Sequence, residues 1–151
     1  MQEKQFHIEA ATAVHHPSIK QLIRTVRINP MGLDWRHFVV VLDTNDAMIG
    51  CGQIKPHRDG SYELASIAVQ REWRKQGVAR AIIQHFLATQ EPPLWLTCVS
   101  KLVPFYTQFG FRETKVLAEM PPYFRRVSRL FQIFTRFRNQ TEYLAIMVYD
   151  S

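Results

Sequence analysis

The stretch Ile67-Ala68-Val69-Gln70-Arg71-Glu72-Trp73-Arg74-Lys75-Gln76-Gly77-Val78-Ala79-Arg80 decides how this chain folds and where its chemistry lies. Its apolar opening ends a strand running from Tyr62 to Val69, a charged turn follows, and a helix begins close to Gly77. A helix start leaves N–H groups without intrahelical acceptors and carries partial positive charge, which suits a phosphate. Gly77 and Ala79 lack bulk, so an anion can approach the backbone closely, and Arg74, Lys75 and Arg80 add charge around the same turn. The Walker pattern is excluded because no Gly-Lys-Ser/Thr follows. The dinucleotide fingerprint is excluded because its glycines are missing. On these residues alone, an anion-binding turn and an ordinary charged helix start both remain open.

Working outward, Val78, Ala81, Ile82, His85 and Phe86 recur at helical spacing from Gly77 to Thr89. Pro92-Pro93 stops that helix, and Leu94 to Val99 returns as a strand, completing a βαβ unit. Upstream, Arg58-Asp59-Gly60-Ser61 is a tight turn into the Tyr62 strand. Strands from His37 to Asp43 and from Ala47 to Ile54 form a hairpin across Thr44-Asn45-Asp46. Phe6 to Ala13 has strand composition. A helix with Pro17 in its first turn and Ile19, Leu22, Ile23 and Val26 on one face fills Ser18 to Ile28, and Asn29-Pro30-Met31-Gly32 breaks it. Downstream come a short helix from Leu102 to Phe109 closed by Gly110, a strand within Phe111 to Val116 and a last strand from Glu142 to Tyr149. Hairpins first and a crossover helix later predict an α/β fold: a mixed, mostly antiparallel sheet with flanking helices, one domain over residues 1–151.

An insertion at about 119–140 separates the last two strands. In a helix from Tyr123 to Arg138, Tyr123, Phe124, Val127, Leu130, Phe131, Phe134 and Phe137 share one face, and Arg125, Arg126, Arg129 and Arg136 occupy the other. No acidic residue lies from Met120 to Thr141. Four fates are open for this basic amphipathic helix: packing on its own domain with its arginines in solvent, or contact of the 123–138 segment with an acidic membrane surface, with nucleic acid or with an acidic ligand.

A chain of 151 residues with 46% hydrophobic and 21% charged residues can bury a core, which excludes a disordered or fibrous protein. The net charge of +6, from 19 Lys and Arg against 13 Asp and Glu, favours an anionic partner. No apolar run approaches the roughly 20 residues of a membrane span, and MQEKQFHIEA has no apolar signal core. Cys51 and Cys98 lie in apolar strand sequences and read as buried free thiols of a cytoplasmic protein. No Cys/His spacing suggests zinc, so no metal is expected.

Arg74-x-x-Gly77-x-Ala79 after a strand ending Ile67-Ala68-Val69 resembles the acyl-CoA motif of the GNAT superfamily of N-acetyltransferases, Arg/Gln-x-x-Gly-x-Gly/Ala. A second block, Pro104-Phe105-Tyr106-Thr107-Gln108-Phe109-Gly110-Phe111, resembles the late Tyr-x-x-x-Gly-Phe segment of that family. The likeness covers most of the chain and is strongest from Glu63 to Phe111.

The resemblance implies a GNAT-like fold and acetyl transfer from acetyl-CoA, without a metal, to a primary amine of a small molecule or a protein. The amides of Gln76, Gly77, Val78, Ala79 and Arg80, with Arg74 and Lys75 beside them, would hold the CoA pyrophosphate. The backbone of Ile67, Ala68 and Val69 would pair with the pantetheine arm like an added strand. Tyr106 would protonate the departing thiolate, and Glu63 would be the base that deprotonates the amine. Two positions depart from the family pattern. Val99 stands where many members carry a cofactor-binding Asn seven residues before the Tyr, and Leu96-Thr97-Cys98 lacks the Glu that others use as base. His57 is a spare candidate base, read otherwise as a surface turn residue. The alternative function is a non-catalytic module that binds CoA, nucleic acid or a membrane surface, with nucleic acid not expected. A homodimer stays open.

Overall fold

The computed structural model describes residues 4–135 and 141–151, and within the last described turn of helix, at 133–135, the backbone only. The chain divides into two compact units, Met1–Lys55 with Leu64–Thr89, and Pro56–Glu63 with Gln90–Ser151.

In the first unit the hydrophobic pattern becomes packing directly. Helix α1 (His16–Val26) buries Ile19, Leu22 and Ile23 against Phe38, Val40, Leu42, Cys51 and Ala68. It ends two residues before the expected Ile28 because Arg27 takes a left-handed φ of 58° and its N–H turns back to Arg24 O. Strand β1 (Phe6–Ala10) is shorter than expected, since Thr12 opens a 3-10 turn over Ala13–His15. It pairs antiparallel with β2 (Phe38–Asp43), which pairs antiparallel with β3 (Met48–Pro56). In the connecting turn, Asp43 Oδ1 accepts from the N–H groups of Asn45 and Ala47.

Strand β4 (Tyr62–Val69) has the bounds expected from sequence, and α2 (Val78–Thr89) follows it. Helix α2 starts one residue after Gly77, whose φ of +84° lies outside the helical range. The helix sits close on β3 because Gly50 and Gly52 have no side chains there: a Cβ on Gly52 would stand 2.7 Å from Ile82 Cγ2. Gly52→Ala is therefore expected to destabilise the protein by about 1–3 kcal/mol through overpacking. Urea unfolding checks it, and an unchanged midpoint would contradict this packing.

The second unit carries β5 (Leu94–Val99), α3 (Val103–Thr107), β6 (Arg112–Thr114), α4 (Pro122–Thr135) and β7 (Leu144–Tyr149). Strand β7 pairs antiparallel with both β5 and β6, and β4 pairs parallel with β5 at Glu63–Trp95. The sheet has seven strands in the order β1-β2-β3-β4-β5-β7-β6, mixed and mostly antiparallel, with flanking helices. Helix α3 is shorter than expected because Phe109 and Gly110 bond back three residues, tightening its end into a turn. Strand β6 stops at Thr114, whose hydroxyl donates to Glu119 Oε2 while accepting from Val116 N–H.

Helix α4 buries Phe124 completely against Trp95, Ile146 and Val148, with Tyr123 and Val127 partly buried beside it. The expected apolar face is not all core, because Leu130 and Phe131 are exposed. Nor are all its arginines free in solvent, since Arg125 donates to the carbonyls of Leu117 and Met120. Arg126 and Arg129 are exposed. The positions of Arg136 and Phe137, and the side chain of Phe134, lie outside the described residues. Cys51 and Cys98 are buried free thiols. Among the described residues no helix is long and apolar enough to cross a membrane.

Candidate active site

The turn between β4 and α2 is anchored from both sides. Gln70 donates from its backbone to Ile49 O at 2.8 Å and from its side chain to Met48 O at 2.7 Å. Trp73 meets Phe6 edge-on at 6.2 Å and lies under the Lys4 ammonium, which also donates to Glu72 O. After this anchor the backbone curls: Arg74 is extended, Lys75 has φ +60° and Gly77 has φ +84°. The first bond into α2 from outside runs from Ala81 N–H to Gly77 O, so the N–H groups of Val78 and Ala79 lie ahead of it at the positive end of the helix. A Cβ at Gly77 would meet nothing within 4 Å.

Arg74, Lys75, Gln76, Gly77 and Arg80 are exposed, Ala79 is half-buried and Val78 is buried. Neither Arg74 nor Lys75 has an acidic partner among the described residues. Arg74 also lines, with Arg71 and Gln70, a groove of about 730 Å³ whose other wall is Ser18, Gln21 and Thr25 of α1. This combination of open backbone, helix N-terminus and uncompensated cations fits a pyrophosphate.

The strand leading into the turn has a bend that no glycine announces. Ser66 lies inside β4 with φ +59°, a conformation that costs a residue with a Cβ about 1–2 kcal/mol. Its neighbours hold it there. The fully buried Gln53 donates from Nε2 to Ser66 Oγ at 2.7 Å and to Gly32 O at 3.3 Å, and the Cys51 thiol donates to Ser66 O at 3.8 Å. Burial pushes the Cys51 thiol up to about 12, so it stays a neutral donor. Ile67 and Val69, just beyond the bend, are half-buried, and Ala68 is buried in the core.

In the second unit, the candidate base Glu63 is buried and paired. It is 7% exposed, and its Oε1 lies 2.8 Å from His57 Nε2. His57 is not a surface turn residue: only 14% of its side chain is accessible. Its ring is stacked on Tyr123 at 3.7 Å and meets Phe124 edge-on at 5.6 Å. Phe124 in turn stacks on Trp95, the residue that pairs with Glu63 across the parallel strands. Tyr123 N–H donates to Asp59 Oδ2 at 2.9 Å, tying the start of α4 to the β3–β4 turn.

Tyr106 lies on α3 with its ring edge-on to Phe105 at 5.1 Å and to Phe111 at 6.0 Å. Burial, and secondarily the charge of an ionised Cys98, push its phenol up to about 12. Burial, with the Glu113 carboxylate as a smaller cause, pushes the Cys98 thiol up to about 11. Cys98 Sγ contacts Met147 Sδ at 3.9 Å on the neighbouring strand. Among the described residues no group of three or more His, Cys, Asp or Glu is placed to hold a metal ion.

A family model for the acetyltransferase (GNAT) domain matches residues 34–113, more than half of the chain. Among solved structures, the fold is similar to that of N-acetylglutamate synthase from Neisseria gonorrhoeae, complexed with coenzyme A and N-acetyl-glutamate. That pair has a TM-score of 0.72 at 17% identity, covering 99% of this chain. The chain spans only 36% of the synthase's length. Rv2747 from Mycobacterium tuberculosis, in complex with CoA, gives a TM-score of 0.70 at 19% identity, covering 96% of this chain and 99% of that one. The ribosomal-protein-S18-alanine N-acetyltransferase from Escherichia coli gives 0.64 at 16% identity, covering 97% and 94%. A comparison with curated protein sequences finds no match. The matched segment holds the β4–α2 turn, the parallel β4–β5 crossover and Tyr106, and by that match the chain belongs to the GNAT acetyltransferase family.

Proposed function

We propose that the protein transfers the acetyl group of acetyl-CoA directly to a primary amine, with residues 1–151 acting as one acetyltransferase domain and α4 as an insertion in it. The observation that carries this reading is the β4–α2 turn, where an open Gly77 backbone, a helix N-terminus and two cations with no acidic partner among the described residues coincide. Bound acetyl-CoA supplies an already activated acyl group, so no metal is required. The amides of Gln76 to Arg80 hold the pyrophosphate, assisted by Arg74 and Lys75. The backbone of Ile67, Ala68 and Val69, beyond the Ser66 bend, pairs with the amides of the pantetheine arm.

An alkyl ammonium with a pKa near 10.4 is not a nucleophile until it loses a proton. Glu63, buried and anionic when ionised, is the partner of that proton removal. Tyr106 gives its phenolic proton to the sulfur that leaves. Burial keeps that phenol protonated, so its proton is available when the sulfur departs.

A second reading, favoured by the exposed Leu130 and Phe131 beside the exposed Arg126 and Arg129, is a non-catalytic module whose α4 docks on an anionic surface. Calorimetric titration with acetyl-CoA tests the first reading. One site of micromolar affinity is expected, and a folded protein that takes up no acetyl-CoA would remove the cofactor assignment.

A further inference from the structure

We infer that His57, held by Glu63, is the base that takes the proton of the acceptor amine, and that Glu63 is its positioning residue. This rests on the acetyl-transfer reading and narrows it to a particular atom. The hairpin turn sets the pair up: His57 N–H donates to Ser61 O at 2.9 Å and Gly60 N–H to His57 O at 3.0 Å, so the imidazole and Glu63 stand on the two arms of one tight hairpin. The side chains meet at 2.8 Å, with 14% and 9% of their surfaces accessible.

A carboxylate only accepts, so the neutral imidazole donates from Nε2 to Glu63 Oε1 and carries its lone pair on Nδ1. Among the described residues nothing hydrogen-bonds to Nδ1. The ring cannot turn easily, because Tyr123 lies flat on it at 3.7 Å and Phe124 closes its edge. Imidazole is in general about two pKa units more basic than a carboxylate, which makes it the better acceptor of a proton from an ammonium. The groups facing His57 are Glu63 from β4, Asp59 from the turn and Tyr123 from α4, with Arg126 bearing on Tyr123. The start of the arginine-bearing insertion thereby becomes the wall of the base.

The step balances simply. The amine's N–H proton passes to Nδ1, its freed electron pair forms the new N–C bond, and the Glu63 carboxylate offsets the charge of the imidazolium until the proton leaves to water. The sulfur departs with the electrons of the broken C–S bond and receives its proton from Tyr106, and the extra proton on the newly acylated nitrogen returns to the Tyr106 phenolate and restores the phenol.

The test uses the full chain, acetyl-CoA and two probe amines, n-propylamine and hydroxylamine, at pH 7.5, with release of free CoA as the readout. Propylamine is almost wholly protonated there and needs the base, whereas hydroxylamine is largely unprotonated already. His57→Phe keeps the aromatic stack and removes the base. It is expected to lower kcat/KM for propylamine by roughly 10²-fold or more, and for hydroxylamine by less than about fivefold, with acetyl-CoA affinity unchanged. His57→Gln, which keeps an N–H for Glu63, should lose as much with propylamine. Glu63→Gln should lose about tenfold in kcat for propylamine, with KM and the hydroxylamine rate little changed, because the amide holds the ring without offsetting the charge of the imidazolium. Equal losses with both amines in the His57 variants would reduce His57 to a structural role, and near-normal propylamine turnover in them with none in Glu63→Gln would make Glu63 itself the base. Either result overturns the inference while leaving acetyl transfer intact. A wild-type protein that acetylates neither these probes nor any of a broad set of primary amines would instead contradict the acetyl-transfer reading, and this inference with it.

Discussion

Tyr106→Phe lowers kcat for acetyl transfer by roughly 10²–10⁴-fold while leaving acetyl-CoA affinity within about twofold. The size of the effect follows from what the substitution removes. The ring stays in its edge contacts with Phe105 and Phe111, so only the hydroxyl is lost, and with it the proton for the departing sulfur. Without that proton the sulfur must leave as an anion, a poorer leaving group than a thiol. The pH dependence has a fixed sign. An acid catalyst acts while protonated, and the Tyr106 proton is held up to about 12, so Tyr106 imposes no falling limb on kcat between pH 7 and 10. Steady-state kinetics on the two proteins across that range check both points. Unchanged turnover in the variant would take Tyr106 out of the mechanism.

Gly77→Val weakens acetyl-CoA binding by about 10–100-fold, or 1.4–2.7 kcal/mol. Two effects need separating. Valine at φ +84° is strained, at a cost of order 1–2 kcal/mol, which for a domain of this size lowers Tm by roughly 2–8 °C. The larger effect on binding comes from geometry: the new side chain occupies the open space over the turn, where the backbone N–H groups must be reached. Gly60→Val is the matched control. Gly60 has φ +89° and an equally open Cβ position, but it belongs to the β3–β4 turn and not to the 74–80 motif. Calorimetry should show the affinity loss in the Gly77 variant alone, with similar Tm shifts in both. Equal affinity in the two variants would move the pyrophosphate elsewhere.

What was readable in the sequence follows a physical line. Strands β2, β3, β5 and β7 declare themselves as short continuous apolar runs because both of their faces are buried, and helices α1 and α2 because apolar residues recur at the helical period on the one face each buries. The turn at Arg74–Arg80 is readable because its chemistry is local: charge, a glycine and a helix start within a few residues. The element ends were shifted wherever a single backbone conformation intervened, at Arg27, at Gly77 and at the turn after Thr107. The bend at Ser66 was invisible, because its left-handed φ is held by Gln53 and Cys51 from another strand rather than by a glycine.

The His57–Glu63 pair was half legible. The Asp59-Gly60 turn announces a hairpin, and residues six apart across it could have been matched. Their burial could not, since Tyr123 and Phe124 arrive from far along the chain, and Tyr123 reaches Asp59 across a separation of 64 residues. The fate of α4 was split for the same reason. Its amphipathic pattern is regular, yet Phe124 is fully buried while Leu130 and Phe131 are exposed, because among the described residues the core cluster around Trp95 reaches along the helix as far as Val127.

The most direct test of the central claim is amine-dependent release of CoA from acetyl-CoA by the wild-type protein, with the acetylated amine identified by mass spectrometry. Acetyl transfer predicts that CoA appears in equal amount to acetylated amine, saturably in both substrates, and that Tyr106→Phe suppresses both together. Tight binding of acetyl-CoA with no CoA release above the uncatalysed rate, across a broad set of primary amines, would contradict it and leave a protein that holds the cofactor without using it.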